Sequence, residues 1–201
     1  MEAPMSSTRS AVVTRKTKET DITAELTIEG KGKGAISTGI PFFDHMLTLM
    51  AAHGFFDLTL RAQGDIETGY HHTVEDVGLV LGEAFDKALG ERKGMRRYGT
   101  AIVPMDEALA SVVIDFSGRP FLVYHVSFLS QFTGRFDAQL VKEFFKAFVD
   151  KSGTTLHVNL EYGENTHHII EAIYKAFGQA LDEATMLDTR IQEVRSTKGV
   201  L

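Results

Sequence analysis

The chain repeats itself. Shifted by 96 positions, His71, His72 and Glu75 fall on His167, His168 and Glu171, and Gly82, Ala84 and Asp86 fall on Gly178, Ala180 and Asp182. Coincidences gathered at one offset read as a tandem duplication of a unit a little under about 100 residues long. A duplicated chain of 201 residues can make two small domains or one body of two like halves. Neither half holds enough elements to bury a sheet alone. We therefore expect a single compact domain over 1–201, with repeats at about 10–93 and 94–190 and a C-terminal tail at 191–201.

Both units carry the same pattern. Val77, Val80, Leu81, Phe85 and Leu89 mark a helix over Glu75–Leu89 stopped by Gly90, and Ile173, Phe177, Ala180 and Leu181 mark one over Glu171–Leu187. Upstream, helices are expected at Phe43–Ala52 and Leu140–Lys151. Each ends near a glycine (Gly54, Gly153) and leads into an alternating strand, Phe56–Leu60 or Thr155–Leu160. Further strands are expected at Ser10–Arg15, Ile22–Ile28, Thr100–Pro104, Ala108–Phe116 and Phe121–Phe128, with turns at Gly30–Gly34 and Ser117–Pro120. The class is α+β: a half-domain with a mostly antiparallel four-stranded sheet covered by two helices, duplicated and packed together.

Composition excludes several functions. There is no cysteine, so disulfides, thiolate metal sites and thiol nucleophiles are ruled out, as befits a reducing, cytoplasmic setting. The net charge of −6 disfavours general binding to nucleic-acid phosphates. No apolar run approaches the roughly 18 residues of a membrane helix. Met1–Ser10 lacks the apolar stretch of a secretory signal and reads as a frayed polar tail.

The repeated motif carries the chemistry. A lone His-His pair is ordinarily a surface feature or a satisfied core feature. Two copies, each with a glutamate four residues on, point to metal. Residues four apart share a helix face, so His71 and Glu75 can hold one ion together, as can His167 and Glu171. His72 and His168 project about 100° round the cylinder and address something else. That geometry favours two ions. The upstream helices offer His45 and Glu143 as equivalent third ligands, at an offset of 98. The metal set is then His45, His71, His72, Glu75, Glu143, His167, His168 and Glu171. Nitrogen and carboxylate without sulfur suit Mn²⁺, Fe²⁺ or Zn²⁺. His125 and His157 have no such partners and read as core or surface residues.

On these residues the chain resembles the imidazoleglycerol-phosphate dehydratases. The similarity lies in FFDHML (Phe42–Leu47), HHTVEDVG (His71–Gly78), SGRP (Ser117–Pro120), HHIIEA (His167–Ala172) and STKGVL (Ser196–Leu201), and runs from about Arg15 to the C-terminus. The resemblance implies a lyase of histidine biosynthesis that removes water from imidazole glycerol phosphate, giving imidazole acetol phosphate. It implies two Mn²⁺ ions per site, with the substrate's imidazole held between them as imidazolate. It also implies a homo-oligomeric shell of 24 subunits built from trimers, with active sites between subunits. His71, Glu75, His167 and Glu171 then take part in catalysis through the ions they hold. Glu19, otherwise a solvated charge, becomes the acid/base. His53, Arg97, Arg119, Lys175, Ser196, Thr197 and Lys198 match the family's substrate- and phosphate-binding positions. Glu143 stands where many members have histidine, Leu49 where some have glutamine, and Gly69 where aspartate is common. Two rival readings remain, a dinuclear metallohydrolase and a non-catalytic metal-storage assembly.

Overall fold

Two sheets in matching register carry the duplication. In the first, β1 (Ser10–Lys16), β2 (Thr20–Thr27), β4 (Asp57–Gly64) and β3 (Gly34–Ser37) lie side by side in that order. In the second, β5 (Tyr98–Met105), β6 (Ala108–Asp115), β10 (Thr155–Tyr162) and β7 (Phe121–His125) take the same places. Ser10 faces Thr27 as Tyr98 faces Asp115, and Thr27 faces Asp57 as Asp115 faces Thr155. Gly34 faces Leu58 as Leu122 faces Leu156. Two pairings in each sheet are antiparallel and the last is parallel, so the expected α+β half-domain is present with mixed sheets. The computed structural model describes residues 8–201; the first seven residues of the expected polar tail lie outside the described residues.

The repeat is not at one offset. It is 88 positions through the first three strands of each half (Thr20 to Ala108) and 98 at the fourth (Asp57 to Thr155). The excess of ten residues falls after β7, where β8 (Phe132–Thr133) and β9 (Phe136–Asp137) form a small hairpin that the first half lacks. The connection from the fourth strand to the motif helix is shorter in the second half, which brings the offset to 96 at the His-His pairs.

Four helices lie between the sheets. α1 (Pro41–His53) packs on β3 and β4, and α2 (His71–Leu89) on β1 and β2; α3 (Gln139–Ser152) packs on β7, and α4 (Thr166–Thr185) on β5 and β6. The helices then pair across the halves, α2 with α3 and α1 with α4. Glycines permit this approach. A methyl group at Gly82 would lie 2.4 Å from the Phe148 carbonyl oxygen, and one at its repeat partner Gly178 would lie 2.4 Å from that of Met50. Phe85, Phe148, Phe177 and Phe145 form a run of edge-to-face contacts with centroids 5.0–5.5 Å apart, joining the halves through one aromatic core. No helix among the described residues is long and apolar enough to cross a membrane.

Four local expectations differ from the structure. The motif helices begin earlier than Glu75 and Glu171, so both His-His pairs sit in first turns. The helix expected to reach Leu187 stops at Thr185, because Met186 turns to an extended backbone (φ −51°, ψ 135°). The strand expected over Phe121–Phe128 ends at His125, while Gly34–Ser37, expected to begin as a turn, forms the parallel edge strand β3.

Candidate active site

The helix pairing across the halves brings ligands together from both. His45 on α1 and His167 on α4 meet at the Glu171 carboxylate, with Nε2 atoms 3.5 and 3.3 Å from Oε2. Among the described residues, this trio alone has ligand atoms all within 4.8 Å of one another. Lys175 Nζ lies 2.7 Å from the other Glu171 oxygen. Burial pushes the Glu171 carboxyl up, but the Lys175 hydrogen bond and charge and the nearby His45 hold it below the ordinary range. Two imidazoles and a carboxylate kept ionised form a donor set suited to a divalent cation.

The first half builds the counterpart less tightly. His71 Nε2 is 3.7 Å from Glu75 Oε2, and His71 shares a cavity with Glu143 on α3. The repeat relation of His45 to Glu143 is thus kept, since each sits across from the motif helix of the other half.

His72 and His168 turn away from their neighbours, as helix geometry requires; the ring planes within each pair are near perpendicular, at 86° and 85°. His72 Nδ1 lies 3.0 Å from Asp65 and 3.8 Å from Glu19. His168 Nδ1 lies 2.7 Å from Glu107. These hydrogen bonds raise both imidazole pKa values and lower those of the partners, Glu107 to about 2. At the start of α4, the Asn165 side chain accepts the N–H groups of His167 and His168 and fixes the motif's first turn. The α2 start has no such side-chain cap.

Glu19 sits in the β1–β2 turn. Thr17 Oγ1 accepts the N–H groups of Glu19 and Thr20, and Thr20 Oγ1 donates to the buried Asp76 on α2. The turn is therefore fastened to the helix that carries His72.

The expected substrate contacts fall into two sets. His53 and Lys175 lie beside Glu171; burial, then the Lys175 charge, holds the His53 pKa below its ordinary value. Arg97, Arg119, Ser196, Thr197 and Lys198 line a separate cavity of about 590 Å³ with Tyr98 and Arg195. Arg97 grips Asp115 at 2.6 and 3.0 Å and donates to the Arg195 carbonyl at 2.8 Å, which holds the tail in place. Sequence reasoning missed Asp65, Asp76, Glu107 and Asp115. Only Glu107 left a usable signal, since the 88-position shift of the strands lays Glu19 upon it.

Comparison with known proteins shows the family and the fold. The family model described as imidazoleglycerol-phosphate dehydratase matches residues 38–181. The imidazoleglycerol-phosphate dehydratase of Trichlorobacter lovleyi is 59% identical, covering 96% of this chain and 99% of its own length. That of Syntrophobacter fumaroxidans is 57% identical, over 98% and 100%. Among solved structures, the Staphylococcus aureus dehydratase superposes with a TM-score of 0.81 at 40% identity, covering 89% of this chain and 99% of that one. The Pyrococcus furiosus enzyme, solved in complex with (S)-C348, gives 0.83 at 40% identity, over 94% and 100%. With this agreement along nearly its whole length, the chain belongs to the imidazoleglycerol-phosphate dehydratase family and is a hydro-lyase.

Proposed function

We propose that this hydro-lyase, which dehydrates imidazoleglycerol phosphate in histidine biosynthesis, does so with two divalent ions, Mn²⁺ foremost, held by the paired histidine helices. The observation that carries the reading is the meeting of His45 and His167 on an ionised Glu171, repeated in outline by His71, Glu75 and Glu143. His72 and His168 complete the donor set, each with Nδ1 tied to a carboxylate and Nε2 left for a ligand. When bound, the ions would supply Lewis acidity that favours the substrate's imidazole as imidazolate, whose electrons can then push out the hydroxyl beside the ring.

The chain's own residues do the rest. The substrate loses the hydroxyl beside the ring and the proton on the neighbouring carbon, and the resulting enol becomes the ketone. Glu19 moves that proton at its carboxylate oxygens, held over His72 by the Thr17–Thr20–Asp76 fastening. Arg119, Lys198, Ser196 and Thr197 bind the phosphate, with Arg97 bracing the tail, and His53 and Lys175 add contacts beside Glu171. His53 and Lys175 lie in a different place from the tail cavity. This supports assembly of each site from more than one subunit, while the homo-oligomer built from trimers to 24 copies rests on the family likeness alone. Within each subunit the two repeats, about 10–93 and 94–190, act as one folded unit with the tail at 191–201.

Chelation followed by Mn²⁺ titration tests the ions: activity is lost and returns as two Mn²⁺ bind per chain, and full activity in the chelated protein would overturn the reading. Replacing Glu19→Gln is expected to lower kcat by about 10²–10⁴-fold with Mn²⁺ content unchanged. An unaltered kcat removes Glu19 from its role.

A further inference from the structure

We propose that Asp65 and Glu107 are positioning residues that aim His72 and His168 at the metal, and that Asp65 thereby leaves Glu19 free to move protons. The inference rests on the metal reading above and concerns which carboxylate serves which histidine. A carboxylate that accepts Nδ1–H fixes an imidazole in one tautomer and one ring orientation, with the Nε2 lone pair facing outward. Both outward histidines have such a partner, but the partners are not repeat equivalents.

In the second half the orienting group is Glu107, in the turn between β5 and β6. Its Oε2 takes His168 Nδ1 at 2.7 Å, and its Oε1 accepts the N–H groups of Asn165 at 2.8 Å and Glu164 at 3.3 Å. Both oxygens are committed. Its equivalent in the first half, 88 positions earlier, is Glu19, in the turn between β1 and β2. Glu19 stands 3.8 Å from His72 Nδ1, beyond hydrogen-bonding distance, because Asp65 reaches the same nitrogen at 3.0 and 3.2 Å. The Asp65 N–H also donates to the Glu19 carbonyl at 3.1 Å, so the two segments hold each other. In the second half β10 bulges between Leu160 and Tyr162, so the register lays Asp65 on Glu164, whose N–H donates to Glu107 and whose carboxylate makes no hydrogen bond to His168 among the described residues. One glutamate is thus consumed in orientation, while its twin is relieved of that task by Asp65, whose counterpart does not reach the histidine.

Titration of metal-free protein with Mn²⁺, followed by the electron paramagnetic resonance of the free and bound ion, tests the assignment. Asp65→Ala and Glu107→Ala are each expected to weaken one class of Mn²⁺ about 10–100-fold and to alter the spectrum of the ion that remains bound. Asp65→Glu should restore part of the loss. Asp65→Asn, which keeps the shape and one acceptor oxygen, should fall between native and Asp65→Ala; it decides the matter if Asp65→Ala does not fold. Glu19→Ala should leave Mn²⁺ affinity near native, as should Glu67→Gln on the same loop. Equal losses in Glu19→Ala and Asp65→Ala would overturn the division of labour. Native affinity and spectrum in folded Asp65 and Glu107 variants would overturn the positioning role while leaving the metal reading intact. A native protein that takes up no Mn²⁺ would remove both.

Discussion

One oxygen of Asp57 closes the glycine-rich turn ahead of β3, accepting the N–H groups of Lys31 and Lys33 at 2.8 and 2.9 Å. Those two bonds hold its carboxyl below the ordinary value of 3.8. A depressed carboxylate pKa gives stability that is present above the unfolded value and lost as pH falls through the folded one. Asp57→Ala should therefore lower the thermal midpoint at pH 7, and the gap from native should shrink as pH falls below 3.8 through the folded value. An equal gap at both ends of a pH series of melting curves would exclude the linkage. The turn itself was legible as Gly30–Gly34, but its closing residue was not, since Asp57 comes from a strand well downstream. The same holds at the site. His71 and His72 declared different directions, about 100° apart, through helix geometry alone, whereas Asp65 and Glu107 reach their histidines from loops that no hydrophobic periodicity marks.

At the scale of elements, the repeat made four helices and most strands readable, and it paired His45 with Glu143 as equivalent positions before any contact was known. It gave no warning that the helices would pair across the halves. The glycines that allow this looked like plain matches in the repeat. Alanine in a helix is ordinarily better than glycine by about 1 kcal/mol. At Gly82 and Gly178 the added carbon would lie 2.4 Å from a backbone oxygen that cannot swing aside. The clash should win, so Gly82→Ala and Gly178→Ala should each cost about 1–3 kcal/mol in urea unfolding. A stabilised variant would mean that the helices can part freely. The two crossings are not equal: α4 carries the bulky, fully buried Tyr174 where α2 carries Gly78. The hairpin after β7 was illegible for another reason. Its strands are two residues each, too short for alternation to show.

For the whole molecule, the telling fact is that the expected substrate groups lie in two places. His53 and Lys175 stand with the trio, while Arg119 and the tail residues stand round another cavity. If neighbouring subunits bring the sets together, two dead variants should rescue each other. Glu19→Gln and Arg119→Ala, each inactive alone, should recover activity when dissociated, mixed and reassembled, up to about a quarter of native for sites shared by two subunits. No recovery from well-mixed assemblies would place each site within one chain. No pattern in a single sequence marks which groups a neighbour supplies, because the spacing that brings them together is set by contacts between copies.

The crossed helix pairing also governs the order in which the chain can fold. The glycine face of α2 meets α3, and α1 finds its partner only in α4, the last helix of the fold. A growing chain that has completed its first repeat holds a finished sheet with two helices whose far sides have nothing to cover them. Contacts so distant in sequence carry a heavy loop-closure cost and form late. Until α4 leaves the ribosome, the nascent protein exposes the apolar seam through which the halves will join, which makes this the stage most open to chaperone capture or aggregation.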